Sequence, residues 1–378
     1  MIIKNGILYD AVHEKPYQAD IRIQDGKITA IGECIQPEWE EPVYDATGRN
    51  VYPGLIEAHC HIGVSTDGFD VASSDYNELS EAVGAEMRAI DSFNPQNRCI
   101  RQALEGGVTT ICTGPGSGRI ITGTFAAVKT VGTCVDDMIL KYPVAMKCAF
   151  GQNVKGGNPT NTRMGVAAKL RETLFAAQDY MRKKEAAGDD VLKRPKFDLK
   201  MEALIPVLKG ELPLKAHAHR TDDILTAIRI GKEFGLKMTL DHVTEGELIV
   251  DELVRAGLPV AVGPSINHAT KVELKNKKLT TPGVLQKAGL HVCIISDASV
   301  TPVQHLRVYA GLARKHGMDP FAALQAVTIR AAEHIGVSDR VGSLEVGKDA
   351  DVVIADGDLL SSLTKIVSVF VDGEKVVG

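Results

Sequence analysis

The 378-residue chain is 44% hydrophobic and 24% charged, near the average for folded water-soluble proteins, so it can bury one large core and a smaller one. A formal net charge of −5 leaves no basic footprint for nucleic acid or an anionic membrane. The chain opens without a charged-then-apolar leader, contains no apolar run long enough to span a bilayer, and scatters its 7 cysteines without CxxC spacing; the expectation is a cytoplasmic protein with reduced thiols.

Residues 1–50 carry short alternating runs punctuated by turns. Ile2-Ile3-Lys4-Asn5-Gly6 leads into Ile7-Leu8-Tyr9-Asp10, and Asp20-Ile21-Arg22-Ile23 reaches a turn at Asp25-Gly26 before Lys27–Gly32. The other end has the same texture, with Asp351-Val352-Val353-Ile354, Val367–Val371 and a turn at Asp372-Gly373. Neither end has enough apolar surface to fold alone. Residues 1–50 and 341–378 are therefore expected to pair into one small β-sandwich-like domain.

Between residues 51 and 340 apolar strand runs alternate with helical segments. Strands are expected over 52–58, 108–112, 120–128, 144–149, 213–216, 237–240, 258–262 and 291–296. Helical spacing is clearest over 163–185, where Val166, Leu170, Leu174, Ala177 and Met181 recur every three or four residues. The stretches 222–234, 245–256 and 302–316 behave similarly, each opening with turn or capping chemistry. Eight strands separated by helices predict an α/β fold, a parallel sheet closed as a (β/α)8 TIM-type barrel over 51–340, with an open doubly wound sheet as the alternative. No GxGxxG opens a helix, and Gly114-Pro115-Gly116-Ser117-Gly118 lacks the Gly-Lys-Ser/Thr ending of a phosphate loop, so it reads as a loop after a strand.

In such a barrel the reactive residues stand at the C-terminal strand ends. The first strand ends in His59 and His61, which alternation places on one side with Cys60 pointing away. The fourth carries Lys147, the fifth ends in His217 and His219, the sixth in Asp241-His242 and the eighth in Ser296-Asp297. Histidine and aspartate are metal-ligand residues, and aspartate also accepts a proton from activated water. One core histidine is unremarkable, but this many at successive strand ends points to a metal.

The stretch Pro53-Gly54-Leu55-Ile56-Glu57-Ala58-His59-Cys60-His61, then Gly106-Gly107-Val108-Thr109-Thr110, then Gly342-Ser343-Leu344-Glu345-Val346-Gly347-Lys348-Asp349-Ala350-Asp351-Val352-Val353 resembles the amidohydrolase superfamily, in particular its dihydroorotase, imidazolonepropionase and prolidase-type members. The resemblance covers essentially the whole chain. It implies that His59 and His61 bind the more buried metal with Asp297, and that His217 and His242 bind the second. In binuclear members a lysine carboxylated by carbon dioxide bridges both ions. Lys147 lies in an apolar strand among small residues, where a lone ammonium is costly to bury, and so fits that role; Lys155, beside Gly156-Gly157, reads as a loop residue. Both His217 and His219 share a face, and the resemblance favours His217 as the ligand with His219 on the substrate side. Deaminase members place a glutamate three residues after this histidine; here the position is Arg220, which argues against deamination.

The resulting expectation is a hydrolase that cleaves an amide-type C–N bond through a metal-bound hydroxide, with Asp297 moving the proton. The cofactor would be two divalent ions, zinc first, with manganese or iron as alternatives. Arg119, Arg163, Arg220 and His268 follow strands or open helices on the reactive side, and a guanidinium fork binds carboxylates well. They make a small carboxylate-bearing substrate the expectation, in a homo-oligomer that engages neither nucleic acid nor membrane. The competing readings are a cyclic-amide hydrolase, a mononuclear deaminase, and a non-enzymatic scaffold that has lost its ligands.

Overall fold

The computed structural model describes residues 1–65, 74–155 and 161–378. Its strands, in chain order, are β1 (Ile2–Leu8), β2 (Tyr17–Gln24), β3 (Lys27–Gly32), β4 (Val43–Asp45), β5 (Asn50–Pro53), β6 (Leu55–Cys60), β7 (Val108–Thr113), β8 (Ile121–Lys129), β9 (Ile139–Ala149), β10 (Leu214–Ala218), β11 (Met238–His242), β12 (Val260–Val262), β13 (Val292–Ile294), β14 (Val352–Ala355), β15 (Ile366–Val371) and β16 (Glu374–Val377).

Strands from both ends of the chain share one eight-stranded sheet, in the order β16-β15-β14-β5-β1-β2-β3 with β4 beside β1. Its seam is the antiparallel pair β5–β14, which sets Pro53 opposite Val352 and Asn50 opposite Ala355. Ile3, Leu8, Ile21, Ile28, Val51, Val352, Ile354 and Phe370 form its core. The sequence run expected as one strand over 52–58 is divided at Gly54, with Asn50–Pro53 in this sheet and Leu55–Cys60 in the next.

The second sheet runs β6 through β13 in sequence order and nearly closes on itself. The Ser296 N–H, just past β13, donates to Glu57 Oε2 on β6 at 2.8 Å and holds the two edges together. The expected all-parallel arrangement is broken at one strand. β8 runs antiparallel to both β7 and β9. The reason lies in the connections: 114–120 is too short for a parallel crossover, and the link from β8 to β9 contains only the helical turn Val135–Met138. The remaining neighbours are parallel.

Ile56, Ala58, Cys112, Phe125, Ala127, Ala145, Ala261 and Cys293 fill the barrel interior, and Ala331, Ala332 and Ile335 of the helix Ile329–Ile335 pack against them. The long helix Arg163–Ala187 starts where the Thr162 side chain accepts the Gly165 N–H, and Thr221–Phe234 ends on Gly235 in the left-handed region. The segment expected as one helix over 245–256 is a 3-10 turn, Gly246–Leu248, followed by the helix Val250–Ala256. Among the described residues no helix is long and apolar enough to cross a membrane.

Candidate metal centre

The pairing register of β6 shifts between Glu57 and Cys60. Ile56 and Ala58 belong to the interior cluster that holds Phe125, and the His59 ring lies 5.3 Å from the Phe125 ring. An irregularity of one residue thus turns odd-numbered positions inward just before the first histidine. Glu57 fixes this turn: its Oε1 accepts the His59 N–H at 3.0 Å while Oε2 accepts Ser296 N–H at 2.8 Å. Burial pushes the Glu57 carboxyl up to about 7.

Asp297 follows β13 with φ of +52°, and its Oδ1 lies 3.3 Å from His61 Nε2 and 3.6 Å from His59 Nε2. The ligand-type atoms of His59, His61 and Asp297 all lie within 4.8 Å of one another. The His61 Nδ1 donates to the Gly114 carbonyl at 2.7 Å, which leaves Nε2 its lone pair. A Cβ on Gly114 would meet the Phe125 ring at 2.3 Å, so a bare glycine is required to bring this carbonyl in. Burial would raise the Asp297 carboxyl, but the nearby His61, with His242 and His59, outweighs it and holds the group well below the usual range.

His217 on β10, His219 just past it and His242 at the end of β11 form a second group, also within 4.8 Å. Each Nδ1 has a partner: Ser117 Oγ for His217 at 2.9 Å, Thr244 Oγ1 for His219 at 2.7 Å and the Gly263 carbonyl for His242 at 2.7 Å. By contrast the Nε2 atoms of His217 and His242 are buried without a hydrogen-bond partner. Buried polar nitrogens are rarely left so, and two of them converging within one group fit a divalent cation. Burial, reinforced by neighbouring positive groups, holds His59, His217 and His219 well below the usual imidazole range, and burial brings His242 to about 4. These rings are neutral, as metal ligation requires. The His59 and His242 rings are 5.2 Å apart, so the two groups adjoin.

Lys147 is fully buried with its Nζ 3.2 Å from His59 Nε2 and 5.5 Å from the Phe125 ring centre. Burial lowers its ammonium to about 8. The neighbouring Lys215, in register with Lys147 across β9–β10, instead pairs with Asp241 at 3.0 Å. Lys155 lies in the turn after β9; Gly156 and Gly157 lie outside the described residues.

Three of the expected arginines already have partners. Arg163 pairs with Asp223 at 3.0 Å, and Arg220 with Asp222 at 2.9 Å. Arg119 donates to the carbonyls of Gly118 and Leu79. His268 is exposed in the segment after β12 and stands outside both histidine groups.

Several site residues escape sequence reasoning. Glu57, a carboxylate inside an apolar run two places before His59, is the one with a visible signal. Ser117 and Gly114 sit in the glycine-rich loop read only as a connection. Glu273 is buried after β12, accepts the Gln152 N–H at 2.8 Å and lies 3.9 Å from His219 Nε2; its lysine-rich surroundings give no hint of this.

Residues 50–376 match the Amidohydrolase family across nearly the whole chain. The chain belongs to the amidohydrolase family. A crystal structure of an amidohydrolase from Thermotoga maritima MSB8 is 36% identical, covers 99% of both chains and superposes with a TM-score of 0.95. The amidohydrolase tasK of Hapsidospora irregularis is 29% identical over 94% of this chain and 39% of its own length. An adenine deaminase of Lactobacillus delbrueckii subsp. bulgaricus is 23% identical over 94% of this chain and 56% of its own. This amidohydrolase therefore spans between two fifths and just over half of these two relatives.

Proposed function

We propose that this amidohydrolase hydrolyses an amide-type C–N bond of a small polar, carboxylate-bearing molecule, using two divalent ions. The observation that carries the reading is the pair of adjoining groups, His59–His61–Asp297 and His217–His219–His242, with buried Nε2 atoms left unpartnered in the second. His59, His61 and Asp297 would hold one ion, His217 and His242 the other, and Lys147, once carboxylated, would bridge them. Bound there, zinc or a similar ion supplies Lewis acidity and lowers the pKa of water.

The protein's own groups account for the rest. Asp297, held ionised beside His61, is the base that takes a proton from the attacking water and returns it to the leaving nitrogen. His219 faces the substrate. Arg220, whose side chain is 38% exposed, can exchange Asp222 for a substrate carboxylate, whereas Arg163 is tied to the buried Asp223. Residues 1–50 and 341–378 would form a small supporting β-domain on the barrel.

The test is metal analysis together with turnover of the metal-loaded protein on N-acyl amino acids, dipeptides, cyclic amides and aminopurines. Two ions per chain with hydrolysis of an amide supports the reading, and Asp297→Asn should then lose ~10²-fold or more in rate while keeping metal. One ion with ammonia release from an aminopurine would replace it by a mononuclear deaminase. Two ions with no turnover would favour a scaffold.

A further inference from the structure

We propose that Lys215 and Asp241 form a buried positioning pair that fixes His59 as a metal ligand. This rests on the reading that His59 holds a divalent ion. Asp241 sits next to His242 on β11 yet serves the other histidine group: its Oδ2 lies 2.9 Å from His59 Nδ1, and both side chains are fully buried. Neither that oxygen nor His59 Nδ1 has a hydrogen-bond partner, so the 2.9 Å approach is a close electrostatic contact between the carboxylate and the ring. The opposite ring nitrogen, Nε2, faces Asp297 and Lys147.

Lys215 holds the carboxylate in place. Its Nζ lies 3.0 Å from Asp241 Oδ1 and 3.2 Å from the carbonyl of Ala58, the residue immediately before His59. One ammonium therefore anchors both the acceptor for the ring and the backbone that carries the ring. His334 Nε2, 3.6 Å from the same Asp241 oxygen, closes the remaining side. A carboxylate held this close to Nδ1 favours the tautomer that carries its proton there and leaves Nε2 free, and such outer partners change metal affinity by about 10–100-fold. Neither Lys215 nor Asp241 can reach a substrate from beneath the histidines, so neither is a catalytic residue.

The experiment uses Co2+ as the probe, with chelator competition for affinity and visible absorption for coordination. Asp241→Leu should weaken one of the two bound ions by about 10–100-fold, alter its absorption bands and leave the other ion unchanged. Lys215→Met should act in the same direction. If one buried charge left alone prevents folding, Lys215→Met/Asp241→Leu removes both and is the variant to measure. In a His59→Ala background the loss of Asp241 should add nothing, because it acts through that ring. Parental affinity at both ions in a folded variant, or full additivity with His59→Ala, overturns the proposal. A parent protein that takes up no cobalt removes the metal reading itself, and the pair's role with it.

Discussion

Lys129 Nζ, at the end of β8, lies 2.8 Å from Asp351 Oδ1, one residue ahead of β14. Asp349 at 3.1 Å and Asp372 at 3.0 Å complete the shell around this one ammonium. The charges join the barrel to the sheet built from the chain's two ends. The aspartates of the Gly-Lys-Asp-Ala-Asp stretch, legible only as a family signature in the sequence, are thus counter-ions across the seam.

Lys129→Met would leave these carboxylates facing one another with less compensation. A loss of roughly 3–5 kcal/mol in unfolding free energy is expected, the scale for breaking a buried pair on one side. Urea denaturation reads it directly. A midpoint equal to the parent's would show that the carboxylates are relieved by water.

Asp349 adds a pH dependence. Burial works to raise its carboxyl, but Arg340, Lys27 and Lys129 outweigh it and bring the group from 3.8 to about 2. Because the folded value is the lower one, its contribution is complete above the unfolded value and disappears as the pH falls through the folded one. The stability gap between the parent and Asp349→Asn should be wide at about pH 5 and should close near pH 2. A gap that stays constant over that range would separate Asp349 from the acid response.

Lys147→Ala should lower metal content and activity together, since the anionic bridge proposed for it would serve both ions. Short carboxylic acids added to the variant should restore part of both. A variant that still binds two ions and turns over normally would leave the histidines and Asp297 as the whole site.

Gly263 has φ of +144°, and a Cβ there would stand 2.1 Å from the Ile295 carbonyl. Its own carbonyl accepts from His242 Nδ1. Gly263→Ala is expected to cost about 1–3 kcal/mol from overpacking and to weaken the ion at His217 and His242 through the displaced acceptor. Stability loss with unchanged metal affinity would mean that His242 finds its orientation elsewhere.

Arg220→Ala should raise KM for a carboxylate substrate more than for its amide analogue, because only the carboxylate pairs with guanidinium. Equal effects on both would remove Arg220 from substrate recognition.

The sequence pattern carried the strand order and the strand-end histidines because these depend on local alternation. His59, His61, His217, His242 and Asp297 all reach two adjoining groups from positions readable at strand ends. What it could not carry is set by distant partners. The sequence marks Lys147 as a lysine in an apolar strand, and only the fold shows that its neighbour Lys215 takes Asp241 as counter-ion while Lys147 meets the His59 ring. The arginines show the same limit: guanidinium groups near the strand ends look free until Asp222 and Asp223 are placed beside them. The reversal of β8 was hidden because an apolar strand reads the same in either direction.

That reversal also constrains how proteins of this shape diverge. Turning one strand around replaces two separate loops on the histidine-bearing side by a single hairpin connection, and the next turn, 130–134, opens at the far end of the barrel. Gly114 and Ser117 of that hairpin already serve His61 and His217. Sequence drift there is expected to disturb His61 and His217 before it reshapes a binding pocket. Substitutions in this hairpin therefore carry a cost at His61 and His217 that substitutions in segments without such contacts avoid.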